Sequence, residues 1–453
     1  MTAMTTAGRP RAVFTQGSTM RHVLVMTGTG AIGLMALFVV DFLSLLYVSR
    51  LGNPSLTAAV GYSTQLLFFL FAISLGMAIA ITAVVSRAIG SGDFARAREL
   101  AASGLVQMLV FSGAAMAAAY PFRHEILEFV GARGEALEVA TRFLAIVLPA
   151  NVLLGAGMAL SGILRAVGDA RRSMYVTLSG GIVTAFTDPL FIFGFGFGVY
   201  GAAIAIVISR LVFVVVGLHG AVYTHHLVGR PRPKAVVGDL MPVMGIALPA
   251  IVTNLATPVA NAYAIRIFAA FGQDTVAAIA IIDRIVPLSF GAIFALSAAV
   301  GPILGQNLGA RLALRVRQIL TDSFTLTAIY VVTVWMVLIL LSGAIVWIFD
   351  ARGDTARLVV FFCRFGAAAW IFLGWLFVAN AAFNNLGFPI LSTVFNWGRA
   401  TLGTIPFVTL GAHLYGAEGA LMGIVAGAAI FGTGAVATAY LSVGRLARRL
   451  APA

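Results

Sequence analysis

The chain has 453 residues, of which 60% are hydrophobic and only 10% are charged, and its mean hydropathy is +1.01. This composition lies outside the range of soluble globular proteins and indicates an integral membrane protein. The formal net charge of +13 does not indicate nucleic-acid binding, because no basic stretch is interleaved with aromatic residues in a soluble domain.

Apolar stretches long enough to cross about 30 Å of hydrocarbon follow one another along the chain. They predict twelve transmembrane helices, at residues 21–48, 55–85, 100–121, 137–162, 173–197, 199–226, 240–269, 275–304, 318–348, 355–384, 389–412 and 417–443. A Pro-rich stretch separates the first six from the last six. The predicted domains are a cytoplasmic tail (1–19), an N-lobe (20–227), a cytoplasmic linker (228–239), a C-lobe (240–445) and a second cytoplasmic tail (446–453).

The chain also repeats itself at an offset of 219 residues. Glycines, arginines and alanines recur at this offset, in the pairs Gly90/Gly309, Gly168/Gly387, Arg96/Arg315, Arg98/Arg317 and Ala58-Ala59/Ala277-Ala278. Six spans is an even number, so both repeats begin on the same side of the membrane. The predicted fold class is therefore an all-α membrane protein with two parallel six-helix lobes, related by a pseudo-two-fold axis along the membrane normal.

Cations are distributed unevenly over the predicted loops. Segments on one side of the membrane hold 18 Lys and Arg residues, and segments on the other side hold 5. The positive-inside rule then predicts that both termini are cytoplasmic.

Three acidic residues lie well inside hydrophobic runs, namely Asp41, Asp188 and Asp283. An ionised carboxylate in hydrocarbon costs several kcal/mol, so such a group faces an interior, pairs or stays protonated. Counting about 1.5 Å per residue places each of them about 10 Å from the outer boundary of its span. They are therefore candidates to bind and release a cation at a shared depth.

Each of these acids also has a structural interpretation. Asp188 precedes a proline and could cap a helix segment. Asp41 has no Arg or Lys within one turn of its own helix, so a structural ion pair would need another helix. Asp283 adjoins Arg284, which points to another face. An ion pair between Asp283 and Arg266 fits the sequence as well as a coupling role does.

Several segments resemble, in order, the multidrug and toxic compound extrusion (MATE) family. The loops after the predicted second and fourth helices read SRAIGSGDFARA (86–97) and ILRAVGDA (163–170). The fifth, sixth and eighth helices carry DPLFIFG (188–194), GVYGAA (198–203) and GQNLGA (305–310). The similarity covers roughly residues 20–445.

The resemblance implies a two-lobed exporter, not an enzyme, in which a cation gradient drives organic, mostly cationic or amphipathic compounds out by alternating access. We expect a monomer in a bacterial inner membrane, with no cofactor or metal. In the most similar branch, an Asp in the first helix and an Asp in the fifth form the coupling site, and Asp41 and Asp188 match them. Another branch uses carboxylates in the seventh and tenth helices, where this chain has Asn254, Asn261 and Asn380.

The family's sodium site in the N-lobe implies which cation is coupled. That site uses an Asn one turn before the Asp of the fifth helix and a Thr in the sixth helix. This chain has Thr184 and Ile206 at those positions. Sodium needs several oxygen ligands and isoleucine supplies none, whereas a proton needs only a carboxylate. We therefore predict proton coupling, with sodium coupling as the alternative.

Polar residues inside other spans are candidates to line a substrate cavity. They are Tyr62, Gln65 and Asn151 in the N-lobe, and Asn254 and Asn261 in the C-lobe. The same residues could instead hydrogen-bond across helices.

Other classes of function fit less well. A major facilitator transporter would carry an Asp-Arg-Gly-Arg-Arg-like loop after its second helix, and residues 86–98 do not. A lipid-linked oligosaccharide flippase of the same superfamily would have fourteen spans and an Arg-lined cavity. No cluster of nucleophiles or metal ligands indicates an intramembrane enzyme, and the lone Cys363 supports no disulfide. A passive channel would not need the two-lobe repeat.

Overall fold

The computed structural model describes residues 12–450, without the side chains of residues 449 and 450. Arg9 and Arg11 of the predicted N-terminal tail lie outside the described residues, as do residues 451–453 of the predicted C-terminal tail. The described part of the chain contains helices and turns and no strand.

In the described part of the chain eleven apolar helices are long enough to cross a membrane, and a kink divides the last of them into two spans, which gives twelve. The first ten are α1 (Thr19–Ser49), α2 (Pro54–Gly90), α3 (Phe94–Ala119), α4 (Gly134–Val167), α5 (Ala170–Gly194), α6 (Val199–Thr224), α7 (Leu240–Ala269), α8 (Gln273–Gly309), α9 (Ala313–Ile348) and α10 (Gly353–Leu386). Residues 389–414 and 417–450 form α11 and α12. Short helices at Arg123–Phe129 and Pro233–Gly238 lie between spans.

The last two spans form a tight helical hairpin. The backbone leaves the helical conformation at Tyr415 and Gly416, where Gly416 has a φ of 62°. Beyond this point the two helices pack with their backbones in close approach, at Gly411 with Gly419, Phe407 with Gly423 and Gly403 with Gly427. From one contact to the next, the residue in α11 lies four positions earlier in the chain and its partner in α12 lies four positions later. This is the pattern of two antiparallel helices. The twelve-span prediction is therefore confirmed.

The helix boundaries follow the sequence repeat. α2 spans Pro54–Gly90 and α8 spans Gln273–Gly309, so both their first and last residues differ by the offset of 219. α3 and α9 begin at Phe94 and Ala313 with the same offset. The turns after α4 and α10 contain Gly168 (φ 93°) and Gly387 (φ 92°), a left-handed conformation that glycine adopts without a steric cost.

Side-chain caps explain where three helices of the first half begin. Asn53 Oδ1 accepts the backbone N–H of Ser55 at the start of α2, 2.8 Å away. Asp93 caps α3 through the N–H of Arg96, and Asp169 caps α5 through the N–H of Arg172. Each oxygen satisfies a backbone donor that the first helical turn leaves free.

Asp169 has further partners at this end of α5. Its carboxylate accepts hydrogen bonds from the Arg172 guanidinium (2.6 Å) and from His225 Nε2 (2.8 Å). Burial raises the pKa of Asp169, but the hydrogen bonds from His225 and Arg172 together outweigh it and leave the pKa below its ordinary value. The cap is therefore ionised at physiological pH.

The contacts divide the chain into two compact units. The first unit contains residues 12–15 and Gly28–Ile251, and the second contains Gln16–Thr27 and residues 252–450. Residues 16–27 belong to the second unit because Thr19 donates a hydrogen bond to Asp322, and Arg315 donates to the Gly17 carbonyl at 3.1 Å. The predicted boundaries of the two lobes and the linker stay a prediction.

Each unit has its own apolar core. In the first unit, Met77 and Ile81 of α2 and Leu160 of α4 are fully buried. In the second unit, Phe268 of α7 and Phe290 of α8 are fully buried.

The hairpin packing makes a prediction about stability. Gly427→Ala should lower the melting temperature, because the added Cβ would overlap the backbone of Gly403. In Gly444→Ala, also in α12, the added Cβ would have no neighbouring atom within 4 Å. That change should leave stability unchanged or raise it by up to about 1 kcal/mol through helix propensity. Thermal unfolding of both purified variants checks this, and equal shifts in melting temperature would contradict the hairpin contact.

Candidate cation-coupling site

Asp188 is the most enclosed of the three predicted acids. It lies near the end of α5, before Pro189, and only 1% of its surface is exposed. Its Oδ2 accepts a hydrogen bond from the Ser44 hydroxyl of α1. Its Oδ1 is buried and has no hydrogen-bond partner within the described residues. The carboxyl group therefore bonds to another helix, and the capping interpretation is not what the structure shows.

Asp41 lies one helical turn before Ser44 on α1. Asp41 itself is exposed. It is close enough to Asp188 for the two carboxyl groups to interact electrostatically. The structure thus brings together the two acids that were predicted to share a site.

Arg210 of α6 supplies the cation that the sequence analysis did not find. It interacts electrostatically with Asp41, and its Nη1 donates a hydrogen bond to the Val147 carbonyl of α4 at 3.1 Å. A charged residue in the middle of an apolar span was a visible signal, the same one that identified the acids. It was missed because only acids were considered as coupling groups.

Thr184 lies one turn before Asp188 and is buried. Its hydroxyl donates to the Gly180 carbonyl at 3.0 Å, and Ser209 of α6 donates to the same oxygen at 3.0 Å. Ile206 packs in an apolar cluster with Val48 and Ile192. Thr184 is thus engaged with the backbone of its own helix, and the position of Ile206 offers no oxygen.

The other predicted N-lobe residues differ in their surroundings. Asn151 of α4 is buried, and neither its Oδ1 nor its Nδ2 has a hydrogen-bond partner within residues 12–450. Tyr62 is half-buried against an apolar cluster that includes Leu127. Gln65 is exposed. Their roles in lining a cavity stay predictions.

Asp283 of α8 has no acid partner comparable to Asp188. Its side chain is exposed, and the charge that acts on it is that of the adjacent Arg284. In the described part of the chain it forms no ion pair with Arg266, so that structural interpretation is not supported.

Hydroxyl and amide groups fill the interior of the second unit where the other family branch has carboxylates. Asn396 Nδ2 donates to Asn380 Oδ1 at 2.9 Å, and Ser392 donates to Asn384 Oδ1 at 3.1 Å. Thr253 of α7 lies 3.1 Å from the hydroxyl of Thr393 in α11. On the same helix as Thr253, Asn254 is half-buried and Asn261 is exposed.

A fourth acid, Asp322, also lies inside a helix and was not predicted. It is buried in α9, where it accepts hydrogen bonds from Thr19 and from Gln318 Nε2. α9 begins at Ala313, five residues before the predicted span, so Asp322 lies further inside the helix than the predicted boundary indicates. Both its oxygens have partners, which indicates a structural role.

Comparisons with known proteins agree with this architecture. A family profile, MatE, matches residues 31–190 and 249–410. A protein of Shewanella oneidensis named as an FAD transporter is 25% identical over 416 residues, covering 89% of this chain and 90% of the relative. A probable multidrug resistance protein NorM of Thermotoga maritima is 24% identical over 384 residues, covering 82% of this chain and 81% of the relative.

A solved structure shares the whole fold. The MATE transporter VcmN of Vibrio cholerae superposes with a TM-score of 0.89 at 22% identity, covering 95% of this chain and 97% of that protein. The apolar helices of residues 12–450, together with the match to a family of transporters, define a multi-pass membrane transporter. The chain belongs to the MATE family. The predicted family, the fold class and the assignment as a transporter and not an enzyme are confirmed.

The proximity of Asp41 and Asp188 predicts that they act as one unit. Asp41→Asn and Asp188→Asn should each lower the rate of dye efflux at least about tenfold, and the double variant should lower it little further. Two interacting carboxyl groups share protons, so losing either removes the exchange. Transport rates of the three variants in proteoliposomes measure the coupling.

Two further variants make this cycle decisive. Glu138→Gln removes an exposed acid of α4 and should leave the efflux rate unchanged. If Asp283→Asn, in the second unit, lowers the efflux rate, its fold-reduction should multiply with those of Asp41→Asn and Asp188→Asn. Partial defects at Asp41 and Asp188 that simply multiply would show two independent sites.

Proposed function

We propose that this protein exports organic, mostly cationic or amphipathic compounds in exchange for protons, by alternating access. Membership of a family of transporters supports the transport function. We further propose that it works as a monomer in a bacterial inner membrane with both termini in the cytoplasm. The excess of cations on one side of the predicted topology, 18 against 5, supports this orientation.

One observation carries the coupling proposal, the interaction of Asp41 with both Asp188 and Arg210. When Asp41 is ionised, the guanidinium attracts it and the negative charge is compensated inside the protein. When Asp41 is protonated, this attraction is lost and the Val147 carbonyl still holds Arg210. Protonation of Asp41 thus changes the electrostatic attraction between α1 and α6, and a proton gradient can bias the conformation that this attraction favours.

Asp188 is suited to hold a second, linked proton. Ser44 donates to its Oδ2, which leaves the enclosed Oδ1 as the atom where a proton would reside. Protonation of Asp188 would also remove the repulsion between the two carboxylates. Since Ser44 and Asp41 lie one turn apart on α1, both protonation events act on the same helix.

The same surroundings disfavour sodium. A sodium ion needs several oxygen ligands and is repelled by a fixed guanidinium, whereas Arg210 already neutralises Asp41 when no proton is bound. The Thr184 hydroxyl is directed to the Gly180 carbonyl, and Ile206 has no oxygen. Sodium-coupled export is the alternative within the family.

Flavin-like anions and lipid-linked oligosaccharides are two alternatives to drug-like cations as the substrate. The Shewanella relative is named for a flavin dinucleotide, and its similarity extends over 89% of this chain. Export of a negatively charged aromatic compound is therefore a second candidate function, favoured by a buried arginine in the second unit, Arg399. A lipid-linked oligosaccharide flippase is the more distant alternative. It fits less well because such a protein would have fourteen spans and this chain has twelve.

The coupling proposal predicts the driving force. Efflux of a fluorescent cationic dye from proteoliposomes should collapse when the proton gradient is dissipated and should not change when sodium replaces potassium. Asp41→Asn should insert and fold but lose this gradient-driven efflux, because the amide keeps the size and removes the titration.

The experiment needs gradients imposed separately. With equal pH on both sides, a sodium gradient alone should drive no efflux above that of empty liposomes. Sodium-driven efflux by the wild type, or near-normal efflux by well-folded Asp41→Asn, would overturn proton coupling through this residue.

A further inference from the structure

Arg399 lies deep inside a membrane-spanning helix of the second unit. It comes ten residues after Pro389, the first residue of α11, which places it about 15 Å along the helix. At Arg399 the helix widens into a π-helical turn that extends to Gly403. The side chain is packed inside the unit, with only 8% of the residue's surface exposed.

The guanidinium of Arg399 is poorly satisfied. Its Nη2 donates a hydrogen bond to the Thr257 hydroxyl of α7 at 3.3 Å. Its Nε is buried and has no partner in the described part of the chain. None of the ion pairs found among the described residues includes Arg399.

An arginine in this position is costly. A charged side chain at membrane depth normally pairs with an opposite charge or marks the path of a ligand. Arg210 in the first unit has the Asp41 carboxyl group within electrostatic range, although the two form no direct ion pair among the described residues. Arg399 contacts a neutral hydroxyl, and within residues 12–450 no carboxylate forms an ion pair with it.

Thr257, which contacts Arg399, belongs to a polar side of α7. Asn254, Thr257 and Asn261 follow a spacing of three and four residues, which puts them on one helix face. Asn261 is exposed and the other two are half-buried. The exposed amide of Asn261 and the Thr257 hydroxyl that contacts the guanidinium are therefore on the same face of α7.

The repeat shows that this arrangement is specific to the second unit. At the offset of 219 residues, Arg399 corresponds to Gly180 and Thr257 corresponds to Phe38. The space beside Gly180 is filled by the ring of Phe213. The scaffold therefore does not require an arginine at this place.

We propose that Arg399, together with Thr257, binds the phosphate or carboxylate group of an aromatic compound that the protein exports. A guanidinium offers two parallel N–H donors to such a group, and its free Nε–H is one of them. The assignment rests on the second candidate function, export of a negatively charged aromatic compound, and names the residues that would bind its anionic group.

The test compares two ligands that differ by one phosphate. Riboflavin and riboflavin 5′-phosphate share the same fluorescent ring, and only the second is an anion. Their binding is measured by fluorescence anisotropy with the full-length protein in phosphatidylcholine nanodiscs, without any gradient. The wild type should bind the phosphate ester at least about tenfold more tightly than riboflavin. Equal binding of the two ligands would overturn the proposal.

Variants assign that preference to Arg399. Arg399→Gln should abolish it without weakening riboflavin binding, and Arg399→Lys should keep part of it. Thr257→Val, which leaves the charge in place, should reduce it several-fold and serves if Arg399→Gln does not fold. Arg364→Gln removes an exposed arginine of α10 and should change nothing. A preference that survives in folded Arg399→Gln would show that the anion binds elsewhere.

Two further measurements distinguish an exported phosphate compound from a lipid headgroup, and distinguish this proposal from the proposal of proton coupling. Inorganic phosphate should compete weakly, and nanodiscs of phosphatidylglycerol should leave the preference intact. A tenfold loss in phosphatidylglycerol would identify a lipid headgroup as the occupant and overturn the assignment to an exported compound. Asp41→Asn should retain the preference, because binding needs no proton gradient. Failure of proton coupling and failure of this proposal therefore give different results.

Discussion

The compensation of charge inside the membrane is the constraint on which the first unit depends. Asp188 accepts a hydrogen bond from Ser44, Arg210 donates one to the Val147 carbonyl, and Asp41 lies within electrostatic range of Arg210. These interactions involve α1, α5, α6 and α4. Asp41 and Ser44 lie one turn apart on α1, so any rotation of that helix disturbs both acids at once. In the proposed mechanism, the position of α1 and the ionisation of the acids are therefore linked in one equilibrium.

The repeat separates what the scaffold requires from what each unit does. The ends of α2 and α8 and the turns at Gly168 and Gly387 keep their register because they depend on backbone geometry and caps. The interior positions have diverged. At the offset of 219 residues, Asp41 corresponds to Ala260 and Asp188 corresponds to Phe407. The same helical frame thus carries an acidic cluster in one unit, and amides with a buried arginine in the other.

Sequence reasoning found the helices and the acids for a physical reason. A carboxylate in an apolar run is conspicuous, because hydrocarbon makes it costly whatever surrounds it. It could not find Ser44, since one hydroxyl in a span is commonly bonded to its own helix, as Thr184 is. The partner of Asp41 comes from α6, more than a hundred residues away, and only the packing of helices reveals it. Helix ends were predicted too short where charged residues such as Arg315 continue a helix beyond the hydrocarbon.

The two intramembrane arginines illustrate how partners distinguish roles. For Arg210, the nearby carboxylate reduces the cost of burying charge, and loss of either partner would leave the other uncompensated. Arg399 forms no ion pair with a carboxylate among the described residues, and its guanidinium is buried beside a neutral hydroxyl. Burying a charge without an opposite charge is costly. An anionic ligand that contacts Arg399 would offset this cost, which is the physical reason for the proposed binding of an anion.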